Sequence, residues 1–313
     1  MRDANIAQIR DDMGDPSWLV ARTWNGTIFD GHPYARPGFG TIESMHAIER
    51  DDLLDFIHAQ FAKNVLKVAI AGDIRADEAA KLVDMTFGAL PEKAKEIKTE
   101  NAKLMHPGKT ILLPLDTPQT FISAGEEGMD LHDPDWQAAV VMNQILGGGG
   151  FDARLMKEIR EKRGLTYGVY SNLSSMKHAA LIQASLSAGN EKAADALRLL
   201  RREWGKMAAA GATEEEVNDA KAYLTGSLLL DLTSTDDISE TLNGLQQEDL
   251  GAQYINERNA LIEAVTPEDV GRVAARLLKT ENLTVILVGQ PLNITADIML
   301  DHPPGMNVPK EKQ

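Results

Sequence analysis

The amino-acid sequence predicts an α+β protein of two homologous units, each a mixed, mostly antiparallel sheet with helices on one face, the first unit truncated. Three observations carry this. Short apolar segments of strand character at 65–71, 110–115 and 283–288 stand apart from longer runs with apolar residues at helical spacing. A stretch dominated by Lys and Glu, PEKAKEIKTENAKLMHPG at 91–108, separates two such groups and reads as an interdomain linker. The chain also matches itself without gaps at an offset of 217, residues 47–73 ending LKVAIAGD falling on 264–290 ending LTVILVGQ.

In that match Ala47, Asp52, Leu66, Val68 and Gly72 meet Ala264, Asp269, Leu283, Val285 and Gly289, and both windows read as capped helix, turn and buried strand. A duplication follows, and it sets the boundaries. A second unit running from about residue 75 to 291 implies a first unit that ends at Ile74 and begins well before Met1, so most of the first unit is expected to be missing. The expected layout is a remnant of the first unit at 1–90, the linker at 91–108, a complete second unit at 109–302 and a disordered polar tail at 303–313.

The elements follow in order. Residues 2–12 and 16–28 read as helices, the second with Asp15 as N-cap and Pro16 at the first helical position. HPYARPGFGT, from His32, is a loop dense in Pro and Gly. Residues 50–63 carry Leu53, Phe56, Ile57 and Phe61 on one helical face, 65–71 is an apolar strand, and 77–88 is a helix. Strands are expected at 110–115 and 119–125, then a helix at 133–146 ending on four glycines, a charged helix, and strands at 166–173 and 179–188. The last third is mostly helical: 191–210, a helix from the Thr213–Glu216 capping box to Leu230, 235–247, 252–264, and 267–278 capped by Thr266, before the strand 283–288.

Composition excludes several classes. The 313 residues allow two medium cores, and 43% hydrophobic with 25% charged residues is ordinary for a globular protein. A net charge of -15 argues against a nucleic-acid partner, which needs a clustered basic face. Zero cysteines rule out disulfides and thiolate metal sites and leave the redox compartment unmarked, so bacterial periplasm and cytoplasm both stay open. There is no run of about 18 apolar residues to span a membrane and no signal-peptide core at the N-terminus, which points to a soluble protein.

Zinc hydrolysis needs two imidazoles one helical turn apart, a third ligand and a carboxylate base. None of the seven histidines, at 32, 46, 58, 106, 132, 178 and 302, has a partner three or four residues away. No G-x-S-x-G elbow occurs, and the glycine run lacks the following Lys-Ser/Thr of a phosphate loop. Gly147, Gly148 and Gly149 instead read as a helix stop that lets another backbone or a substrate approach, and His32 as a loop residue that holds its turn or touches substrate. Arg160 and Tyr167 remain, one at the end of the charged helix and one at the start of a strand, brought to one surface by the turn at Gly164. On spacing alone a surface ion pair of Arg160 with Glu158 or Glu161 and a half-buried strand tyrosine account for them better than a functional pair does.

The stretch LGGGGFDARLMKEIREKRGLTYGVY at 146–170, with Arg160, Gly164, Leu165 and Tyr167 in the pattern R-x-x-x-G-L-x-Y, closely resembles the second-half signature of the pitrilysin/insulinase peptidases, which include the mitochondrial processing peptidases. HPYARPGFGT and DPDWQAAVVMNQILGGG extend the resemblance over nearly the whole chain. It implies that the first-half counterpart of the helix at 133–146 carries H-x-x-E-H and the zinc, so this chain holds no cofactor itself. It also casts Tyr167 as a donor to the scissile carbonyl oxygen and Arg160 as a clamp on the substrate main chain. The implied function is the metal-free substrate-binding half of a zinc endopeptidase, inactive alone, acting on a peptide or unfolded polypeptide. Its partner is a zinc-bearing half or subunit, with self-association in the absence of that partner. The alternative is a non-catalytic subunit or assembly protein that keeps the fold.

Overall fold

The computed structural model describes residues 1–306. It begins with α1 (Arg2–Asp12), α2 (Pro16–Ile28), α3 (Ile42–Ala47), α4 (Arg50–Gln60) and α5 (Ala76–Phe87). Then come β1 (Thr110–Pro114), β2 (Gln119–Glu127), α6 (Trp136–Asn143) and the hairpin β3 (Thr166–Met176) with β4 (Ala179–Gly189). The remainder is α7 (Ala193–Ala210), α8 (Glu214–Ser227), α9 (Thr235–Gln247), α10 (Tyr254–Glu263), α11 (Pro267–Leu277), β5 (Thr284–Gly289) and β6 (Ile298–Met299). Two compact units result. A sheet unit comprises 1–45, 101–221 and the chain from 264, and a helical unit comprises 46–100 and 222–263.

Helix starts follow from local chemistry. Asp15 accepts the Ser17 N–H at 2.8 Å with Pro16 at the first position of α2. Thr213 with Glu216 and Thr266 with Asp269 form reciprocal capping boxes on α8 and α11. Each satisfies amides that no helical carbonyl can reach.

The sheet unit is a six-stranded mixed sheet in the order β3-β4-β2-β5-β1-β6, antiparallel from β3 to β5 and parallel among β5, β1 and β6. This is the α+β class with a mixed sheet and packed helices. All six residues of β5 are buried, which explains its unbroken apolar sequence. Trp24, Ile28 and Phe29 cover Ile111, Leu181 and Ile286 on one face, while α7 packs on β2 and β4, α6 packs on β3, and α11 packs against both helices. Each fully buried side chain of this size stabilises by roughly 1.5–3 kcal/mol. Helices therefore cover both faces, α2 being the addition to the expected single layer.

Four expectations are corrected by the structure. Residues 1–45 do not share a body with 46–90, because Leu19, Trp24 and Ile28 are buried in the core of the six-stranded sheet. The span 91–108 is not a free linker throughout, since Ala102 N–H donates to His178 O at 2.8 Å and Met105 N–H to Ile28 O at 2.9 Å. The expected strand at 65–71 forms no ladder: 63–65 is a 3-10 turn, and no strand occurs in the helical unit among the described residues. A strand needs a partner edge, and none lies beside it. Residues 303–306 of the expected tail are ordered, with Pro303 and Met306 buried and Arg22 Nη2 donating to Pro304 O at 2.5 Å; 307–313 lie outside the described residues.

Candidate active site

The glycine run is docked on the sheet edge. After Asn143 the helix widens into a π-helical turn over Gln144–Gly148, a 3-10 turn covers Gly150–Asp152, and a second π-helical turn spans Met156–Glu161. Such turns occur mostly as local bulges, often at functional sites. A Cβ on Gly147 would lie 2.7 Å from the Ser171 nitrogen of β3, so only glycine permits this approach. Asn143 closes the contact, accepting the Ser171 hydroxyl at 2.7 Å and donating to Ser171 O at 3.3 Å. Gly148 and Gly149 back onto Asn143 and Gln144.

Tyr167 is aimed by a β-bulge. Thr166 pairs with Ala188 and Val169 with Leu186, so three residues of β3 span two of β4. Thr166 and Val169 are both buried, whereas Tyr167 is 86% exposed. If the same residues alternated regularly, without a bulge, Tyr167 would fall on the buried face with Val169. Thr166 Oγ1 holds the bulge, accepting the Gly168 N–H at 3.1 Å and lying 2.7 Å from Ser187 O. The Tyr170 ring lies against Gly168, and Tyr170 with Asn172 continues an open, polar strip of the edge strand.

Arg160 reaches this end of β3 through the turn in which Gly164 N–H donates to Arg160 O at 2.8 Å. Its guanidinium lies 4.6 Å from the centroid of the exposed Phe151 ring, a cation–π contact that neutralises no charge. The ion pair with Glu158 is not formed. Glu158 is already held by Lys162 at 2.5 Å, Arg163 at 2.8 Å and Arg202 at 2.9 Å, and hydrogen bonding from Lys162, then Arg163, lowers its carboxyl to about 2. Among the described residues Arg160 has no carboxylate within 4.0 Å, although its basic neighbours do.

His32 lies elsewhere. Its Nδ1 accepts the Tyr34 N–H at 3.2 Å and its ring packs on Tyr34 at 4.7 Å and near His178 at 6.3 Å. His178 follows the far end of β3, eleven residues from Tyr167, or roughly 30 Å along an extended strand. The structure thus gathers Arg160, Tyr167 and the glycine run at the sheet edge and leaves His32 as the holder of its own turn. Phe151, Tyr170 and the bulge escaped the sequence reading. Gly168 within a strand was the available signal for the bulge.

Among the described residues no group of three or more His, Cys, Asp or Glu could hold a metal ion. No helix is long and apolar enough to cross a membrane.

Known proteins define the class. Residues 47–224, more than half of the chain, match the profile described as the peptidase M16 inactive domain. The chain belongs to the peptidase M16 family. An uncharacterized zinc protease of Streptomyces coelicolor is 31% identical over 291 residues, which cover 90% of this chain and 62% of the relative. The probable mitochondrial-processing peptidase subunit beta of Schizosaccharomyces pombe is 29% identical over 292 residues, 89% of this chain and 63% of the relative. Among solved structures, the peptidase M16 inactive domain from Pseudomonas fluorescens matches with a TM-score of 0.86 at 28% identity, covering 94% of this chain and 70% of that chain. The chain spans about three fifths of the length of these curated relatives.

Proposed function

We propose that this chain is the metal-free, substrate-handling half of a zinc endopeptidase, that it carries no catalytic zinc, and that it cleaves no peptide alone. The observation that carries this is the state of the pair at the start of β3: Arg160 has no carboxylate partner among the described residues, and the Tyr167 side chain is turned outward. An extended peptide adds to the open edge of β3, main chain to main chain. Arg160 donates to its carbonyls and fixes its position, and the Tyr167 hydroxyl donates to the carbonyl oxygen on which negative charge develops. Gly147–149 keep the neighbouring backbone close to that edge. The metal-bearing half is a separate polypeptide region homologous to this one.

The test uses the chain combined with a zinc-bearing half that restores peptidase activity. Tyr167→Phe keeps the ring and removes one hydroxyl, so kcat falls roughly a hundredfold, the scale of one lost oxyanion donor, with stability unchanged. Arg160→Ala raises KM more than it lowers kcat. Unchanged kcat for Tyr167→Phe in an intact complex would overturn the assignment.

A further inference from the structure

Glu126 is a buried acid with one oxygen left over. Strand β2 is buried at every position from Ile122 to Glu126, with α2 on one face of the sheet and α7 on the other. The carboxylate near its end, opposite Ile182 of β4, therefore turns toward Trp204 of α7 rather than toward water. Its Oε1 accepts twice, from the Trp204 indole N–H at 2.7 Å and from the Lys279 N–H at 2.9 Å. Oε2 accepts from no group among the described residues, and it is not sealed in as the orphaned Arg22 Nε and Trp24 Nε1 are. It opens on a cleft that Glu126 helps to line.

The cleft has a volume of about 840 Å³, the size of a small-molecule site, and lies wholly within the sheet unit. Its walls are the end of β2 with the loop after it, the tip of the β3–β4 hairpin, the end of α11, and the segment after Glu100 that Ala102 N–H ties to His178 O at 2.8 Å. The strand that carries Glu126 is paired on both sides, with β4 and with β5. Apolar surface comes from Leu104, Met129, Met176 and Leu277. The charges are unevenly matched. Arg276 is neutralised by Asp133 at 2.7 Å, and Lys279 gives Glu126 its backbone N–H. Glu127 and Asp130, which continue the wall from Glu126, form no salt bridge among the described residues, while Lys103 and Lys177 are exposed. An ionised carboxylate out of water needs a cation or several donors, and here the chain supplies two donors and no cation. The apolar walls ask that the missing charge carry an organic body.

We propose that this cleft binds a small organic cation, an alkylguanidinium or alkylammonium group, whose N–H groups donate to Glu126 Oε2 while its alkyl chain lies on Met129, Met176 and Leu277. The site is at the opposite end of β3 from Tyr167, and it neither rests on the proposed function nor enters the peptide path.

The probe is n-butylguanidinium, with n-butylurea as its uncharged control, titrated into the full chain and followed by the NMR signals of the Trp204 indole N–H and the Lys279 amide, the two donors to Glu126. Both signals should shift saturably at roughly millimolar probe, and butylurea should leave them in place. Glu126→Gln should weaken binding at least about tenfold while circular dichroism shows the fold retained. Affinity should rise about tenfold from about pH 6 to about pH 8, because burial holds the Glu126 carboxyl at about 7 and only its ionised form attracts a cation. Besides the charges named above, Glu281 stands near Glu126 and His178 lines the cleft, so the rise is measured in His178→Gln as well. Absence of a saturable shift, equal binding of butylurea, full binding by folded Glu126→Gln, or a pH-dependent rise that disappears in His178→Gln would each overturn the proposal.

Discussion

Burial of Glu126 makes a prediction whose size can be worked from the structure. This residue of β2 is 5% exposed, its Oε1 accepting the Trp204 indole N–H at 2.7 Å and the Lys279 N–H at 2.9 Å. No cation pairs with it within 4 Å among the described residues, and desolvation raises its carboxyl from 4.5 to about 7 against those two hydrogen bonds. A folded value above the unfolded one means that the contribution is fully present below about pH 4.5 and is lost as pH rises through about 7. At roughly 1.4 kcal/mol per tenfold change in proton affinity, the loss amounts to about 3 kcal/mol. Glu126→Gln keeps an acceptor for both donors and removes the buried charge. Urea unfolding should show the variant equal to wild type near pH 5 and more stable by about 3 kcal/mol at pH 8.5. A constant difference at the two pH values would refute the reasoning, because no proton would then be linked to folding at this site.

Three further outcomes are expected. Gly147→Ala drives a methyl into the Ser171 backbone and should destabilise by about 1–3 kcal/mol, seen as a lower urea midpoint. Glu216, lowered to about 2 chiefly by its hydrogen bonds from Arg154, contributes stability above about pH 4.5 that disappears as pH falls toward 2. Arg154→Ala should remove that acid-side slope, and about 1 kcal/mol at pH 7 for a partly exposed pair, in pH-dependent melts. With the apolar face of α4 uncovered, sedimentation at micromolar concentration should show dimers or larger species.

Much of this protein is legible in its sequence because the deciding interactions are local. The Asp15-Pro16 start and the Thr266 box are read from residues a few positions apart, and the structure forms both. What stays hidden is long-range. The apolar face of α2 shows that Trp24 and Ile28 are buried but not that their sheet begins more than eighty residues later. The apolar run at 65–71 signals a strand but cannot report whether a neighbour exists. Glu126 follows an apolar run and looks like a solvated strand end, since its burial is decided by Trp204 from α7. The surroundings of Arg160 turned on a similar competition: Lys162, Arg163 and Arg202 hold Glu158 in its place, and Arg202 is distant in sequence.

The bulge at Gly168 also changes what a spacing of two between Tyr167 and Val169 means. One residue in that interval pairs with nothing, so the interval is one paired step and a slip. Deleting Gly168 would restore a regular ladder and leave the phenol facing outward, whereas closing the bulge with every residue kept would rotate it through about half a turn, to the face of Val169. An insertion in the flanking turn would leave its direction untouched. The reach of this tyrosine is therefore encoded as a parity, odd or even, and two sequences of equal motif length present it to opposite sides if only one carries the slip.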